Sequence, residues 1–149
     1  MFLNKKVSKE ITETHLSDFK KNVLRSNFET AYEISKNMSI EKIFDELYAV
    51  AEMKMETNLP YNLLPYAFVT SVLRKEETVE YHLLAADLMT MPYLVLPGSC
   101  EIALFHAREA LKLGSNCKKA AGIVISLYEH EVTSATEEEY QNALKVLQA

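Results

Sequence analysis

Residues 99–116 read SCEIALFHAREALKLGSN, and their spacing decides the fold. Ile102, Ala103, His106, Ala107, Ala110 and Leu111 recur at steps of three and four, which lines them along one face of an α-helix. Gly114 stands where a left-handed residue would end that helix, and Asn116 is placed to cap the next. That next helix bears Ala120, Ile123, Val124, Leu127 and Tyr128. Thr136 with Glu139 then forms a capping box, in which each side chain satisfies an orphan backbone donor of the other. It opens a helix through Tyr140, Ala143, Leu144 and Leu147.

The same grammar extends upstream. Ser39 can cap a helix carrying Ile40, Ile43, Phe44, Leu47, Val50 and Ala51 as an apolar stripe. Ser26 and Glu29 match a further capping box, ahead of Ala31, Tyr32, Ser35 and Met38. A stretch from about Ser8 to Leu24 has helical spacing through Ile11, His15 or Leu16, Phe19 and Val23. Asn58-Leu59-Pro60 breaks the chain, because proline disfavours helix in the residue before it. Pro65 marks a helix start or an early kink ahead of Ala67, Phe68, Val72 and Leu73. Thr78 can cap a helix ending before Pro92, and residues 90–97 form an apolar loop between Pro92 and Pro97.

Only Gly98, Gly114 and Gly122 supply glycine, too few for a sheet of tight hairpins. The expectation is an all-α fold of about eight helices in stacked antiparallel pairs, either an α-solenoid or an irregular helical bundle. With 149 residues, 48% hydrophobic and 25% charged, the chain is expected to make one domain, 1–149, with a self-sufficient core. Residues 1–25 hold six bases against three acids, so of the total charge of −5 the body, 26–149, carries −8. Such a body repels phosphates and favours basic partners, so no nucleic acid is expected. Cys100 and Cys117 do not make a disulfide scaffold. No run approaches the roughly 20 apolar residues of a membrane span, and the opening lacks the order of a secretory signal; no membrane partner and a cytoplasmic location are expected.

Ala110-Leu111-Lys112-Leu113 returns 33 residues later as Ala143-Leu144-Lys145-Val146, and the first copy leads through a polar turn into an Ala-rich helix. Over residues 99–149 this order resembles the end of a tetratricopeptide repeat, whose period is about 34 residues. The family's Trp-x-x-Leu-Gly opening is absent, with Gly122, Leu127 and Tyr128 the nearest equivalents.

Catalytic patterns do not emerge, and no cofactor or metal is expected. The four histidines never pair at metal-ligand spacing on one helix, and His106 sits on an apolar face as a core histidine would. Acidic runs such as Glu137-Glu138-Glu139 fall where first turns complement the helix dipole, and no glycine-rich phosphate loop exists. Binding to another protein is the expectation that remains. Candidate contact residues are the acids Asp45, Glu52, Glu56, Glu76, Glu77 and Glu80, the tyrosines Tyr61, Tyr66, Tyr81 and Tyr93, and the loop from Tyr93 to Leu96. In size, acidity and lack of catalytic motifs the chain is similar to small bacterial immunity proteins, which neutralise a toxin domain. That similarity implies a basic partner such as a nuclease; the repeat resemblance implies instead an adaptor or secretion chaperone holding a peptide in a helical groove.

Overall fold

A computed structural model describes residues 16–53 and 62–149, and the described residues form eight α-helices and no strand. In chain order these are α1 (Asp18–Leu24), α2 (Phe28–Ser35), α3 (Ile40–Ala51), α4 (Leu64–Leu73), α5 (Val79–Thr90), α6 (Ser99–Leu113), α7 (Lys118–Glu129) and α8 (Glu137–Gln148). The chain is all-α, as its periodicity requires.

Three of the sequence caps form as expected. Ser39 accepts from Lys42 N–H and Thr78 from Tyr81 N–H. Thr136 and Glu139 make both bonds of their box. Pro65 lies in the first turn of α4, where its missing N–H costs nothing.

Four other expectations are corrected. Ser26 does not open α2. It sits at φ 59 and closes α1: its N–H donates to Val23 O at 3.0 Å, while Asn27 N–H donates to Asn22 O at 2.8 Å. That is the bond pattern of a Schellman motif with serine in the position glycine prefers, and Glu29 pairs with Lys75 instead. Gly114 is extended (φ −142) rather than left-handed. A Cβ there would lie 3.3 Å from Val79 Cγ2, so the glycine serves the close approach of α6 to the start of α5. Cys117 rather than Asn116 occupies the N-cap of α7, without a side-chain bond. The helix expected over Ser8–Leu24 begins only at Asp18, because Ser17 is extended and caps it; residues 8–15 lie outside the described residues.

Packing differs between the two halves. In the N-terminal half, α1 packs on α2, α3 and α4, while α3 also packs on α4 and α5. Phe68 of α4 receives the edges of Phe19 and Phe28 at 5.3 and 6.0 Å, which draws three helices onto one ring. In the C-terminal half, α5, α6, α7 and α8 each pack chiefly on their neighbours in sequence. The α5–α6 contact is the most extensive, and Ala85, Ala86, Ala103 and Ala107 are fully buried on these two helices. Small side chains there let the backbones come close. The molecule is thus bundle-like at one end and solenoid-like at the other.

Long connections are tied down by polar groups. Tyr93, in the loop between α5 and α6, is fully buried and donates its hydroxyl to Asn62 O. Asn62 in turn donates to Val50 O at 3.4 Å and accepts from Leu64 N–H at 2.9 Å, joining the end of α3 to the start of α4. Arg108 of α6 grips Glu139 with two bonds, at 2.6 and 2.9 Å, so the residue that caps α8 also anchors it.

The left-handed serine generates a prediction. Ser26→Gly removes the Cβ penalty of positive φ while keeping both closing bonds, and stability should rise by about 0.5–1 kcal/mol. Urea denaturation should show a higher midpoint with unchanged slope; a lower midpoint would mean that the side chain, not the turn, matters there.

Candidate functional site

Helices α3 and α5 diverge enough to leave a groove of about 380 Å³. Its floor is apolar, with Ile40 and Phe44 from α3 and Leu83 and Leu84 from α5. Residues four apart share a helix face, so Glu41 and Asp45 rise beside the α3 floor residues, and Glu80 and Asp87 beside those of α5. Lys119 of α7 lies at one end and is paired with Asp87. Among the described residues no cation comes within ion-pair distance of Glu41, Asp45 or Glu80. The groove therefore offers an apolar seat beside three carboxylates that no cation among the described residues neutralises.

A second constellation lies on the opposite side of α5. His82 and His106 are each only 3% exposed, and their Nδ1 atoms are 2.9 Å apart. Tyr66 of α4 meets His106 Nε2 at 2.9 Å, and His82 Nε2 meets Glu77 Oε1 at 3.1 Å. An ionised carboxylate only accepts, so His82 carries a hydrogen on Nε2, and as a neutral ring it accepts at Nδ1. His106 must then donate from Nδ1 and accept at Nε2 from the Tyr66 hydroxyl. Both rings are neutral in this arrangement, and every ring nitrogen is satisfied.

Burial holds His106 down to about 4, with the neighbouring His82 acting in the same direction and Glu109 against it. Burial also pushes the Tyr66 hydroxyl up. Moving a proton from an ordinary tyrosine, near 10, to such a histidine spans about six pH units, or roughly 8 kcal/mol. The chain of bonds is therefore a neutral tie between helices, and not an arrangement that activates Tyr66. The described residues hold no group of three or more His, Cys, Asp or Glu able to bind a metal, and no helix among them is long and apolar enough to cross a membrane.

Of the sequence candidates, the fold brings only Asp45 and Glu80 together, across the groove. Glu52 is exposed at the end of α3, where it raises the Tyr48 hydroxyl. Glu76 accepts from Tyr32 at 2.6 Å and pushes that hydroxyl up to about 12. Glu77 is occupied by His82, and Tyr66 by His106. Tyr81 is half-buried, its hydroxyl 3.3 Å from Ser35 Oγ. Glu56 and Tyr61 lie outside the described residues. Tyr93 is corrected outright: at 0% exposure it can touch no partner, and it plugs the core because its ring fills space while its hydroxyl finds Asn62 O. The loop it belongs to is split, with Leu94 and Val95 exposed.

Sequence spacing missed Glu41 and Asp87; it placed Ile40 and Phe44 on the apolar stripe of α3, where they are half-buried and line the groove. Their place at the first turns of the amphipathic α3 stripe was the available signal. For the His82–His106 pair there was none, since the rings sit on consecutive helices, 24 residues apart across a loop. Comparison of the chain with family models, curated proteins and solved structures finds no match.

The neutral tie can be tested directly. Tyr66→Phe keeps the edge-on ring contact with His106 but leaves Nε2 a buried acceptor without a donor. Stability at pH 7.5 should fall by about 1–2 kcal/mol. A chemical-denaturation midpoint equal to that of the parent would show that water replaces the hydroxyl at no cost.

Proposed function

We propose that this protein acts, without catalysis, by binding another protein through the α3–α5 groove, and that the partner is basic. The acidic rim over an apolar floor carries this reading. An anchor side chain of the partner would lie on Ile40, Phe44, Leu83 and Leu84, and Lys or Arg beside it would meet Glu41, Asp45 and Glu80. Like charges of this kind steer a cationic partner at long range and reject an anionic one. The biological role that fits best is that of an immunity protein, made in the cytoplasm to mask a toxin domain whose own working cleft is basic, as a nuclease's would be.

A second reading has one observation in its favour. Helices α6, α7 and α8 follow one another as neighbours, and Ala110 and Ala143, at matching places in the 33-residue echo, are both buried. A tetratricopeptide-like adaptor would use such a succession to hold a peptide.

The immunity reading has a genetic and a biochemical test. The gene should adjoin one encoding a protein that ends in a toxic domain, and its deletion should be lethal only while that neighbour is intact. Against the purified toxic domain, Asp45→Lys with Glu80→Lys should weaken binding by about tenfold or more per reversed charge at low salt. The loss should shrink in 0.5 M salt. Unchanged affinity at low salt would remove the groove from the interface, and viable deletion beside an intact toxin would end the immunity assignment.

A further inference from the structure

Helix α5 serves two structures at once. Glu80, Leu84 and Asp87 form one wall of the groove, while His82 faces α6 and enters the imidazole pair. Two residues apart on a helix is about 200°, so these are opposite sides of one rod. Whatever holds His82 against His106 also holds the groove wall in place.

With both rings neutral, every nitrogen of the imidazole pair has a partner. As long as both rings are neutral, the hydrogens run in a single direction, from Tyr66 to His106 to His82 to Glu77. An added proton on either ring puts two N–H groups head to head across 2.9 Å, unless His106 reverses its tautomer and Tyr66 loses its acceptor. A second added proton leaves two imidazolium ions in contact inside the core, with Glu77 beside His82 and Glu109 near His106 to offset them. The titratable groups around His106 are Tyr66 from α4, His82 and Glu77 from α5 and its entry, and Glu109 from α6. Glu109 is itself paired with Lys112. Neither α7, packed on α6, nor α8, tied to it through Arg108, contributes any of the charges that act on His106.

We infer that the His82–His106 contact is a proton-operated latch: acid opens the α4–α5–α6 junction and, through α5, dismantles the groove. This regulation rests on reading the α3–α5 groove as the binding site. The sign follows from burial, which disfavours the charged ring. The latched state is fully favoured above the ordinary histidine value of 6.5, and it is lost as pH falls from there toward about 4. At pH 5 an opened state with an ordinary histidine binds the proton that the latched state refuses. The opening constant should then be about thirtyfold higher than at pH 8.

Hydrogen–deuterium exchange on the full chain reads this without any partner. After correction for intrinsic exchange rates, residues 79–90 and 99–113 should lose protection about thirtyfold between pH 8 and pH 5, while residues 137–148 should change little. His106→Gln keeps a donor and an acceptor but cannot titrate at that position, so the response of both segments over that range should fall well below thirtyfold. Equal protection at the two pH values in the parent, or a full response retained in the variant, overturns the latch. Should the variant not fold, ring ¹⁵N shifts of the parent decide. His106 should stay in its neutral, Nδ1-protonated form wherever α5 is protected, and a ring that titrates near 6.5 without loss of α5 protection overturns the latch as well. Because no partner enters these measurements, their failure leaves the groove reading intact. Failure of the charge-reversal test would likewise remove the groove and leave the exchange result standing.

Discussion

Two buried imidazoles in contact hold the middle of the molecule. Either ring buried alone would leave a nitrogen without a partner, at about 1–3 kcal/mol for each orphaned group. Placed Nδ1 to Nδ1, they satisfy each other, and Tyr66 and Glu77 satisfy the outer nitrogens. In a low-dielectric interior such a chain is worth more intact than the sum of its links, and it costs more when one link fails. It also fixes geometry. Three helices, α4, α5 and α6, can approach only in the register that lets all three bonds form, and the alanines of α5 and α6 supply the room.

Around that centre, polar groups act as struts at the places where helices end. Tyr93 and Asn62 bind the α5–α6 loop to the junction of α3 and α4. Ser26 turns the chain between α1 and α2 in a conformation that glycine would adopt at less strain. Glu139 caps α8 and receives Arg108, so one carboxylate ends a helix and fastens it, and the guanidinium holds it below the usual carboxylate range. None of these residues belongs to the apolar stripes. They decide how the stripes are placed relative to one another.

That division explains how far the sequence could be read. Ser39, Thr78 and Thr136 were legible because a cap is settled within three residues of itself. Ser26 was misread because the same letters also fit the closing turn of the helix before it, and only the bonds to Val23 and Asn22 separate the two. Gly114 was read for its backbone freedom, whereas its use is the missing side chain opposite Val79. At the candidate site, acidity alone selected Asp45 and Glu80, but it selected Glu76 and Glu77 equally, and those two are taken by Tyr32 and His82. Tyr93 shows the limit for aromatic residues: the amphipathic ring that suits an interface suits a buried strut as well. His82 and His106 meet through tertiary packing alone, so no local pattern announces them.

The groove and the latch place opposite electrostatic demands on one helix, and this separates the agents that can disturb them. The groove works by carboxylates at its rim, where water and ions reach them; its attraction for a cation is screened within a Debye length of about 10 Å at 0.1 M salt. The latch works by the absence of charge in a place that ions do not reach, so salt leaves it almost untouched. Protons act in the reverse order. Between pH 8 and 5 the buried pair meets its competitor, a histidine free to take a proton in water, while salt concentration stays constant. A partner seated on the rim would therefore be weakened by salt through its own encounter and by acid through the wall behind the groove. The two responses come from opposite sides of α5, Glu80 on one and His82 on the other, and a side chain changed on one side should leave the other response in place.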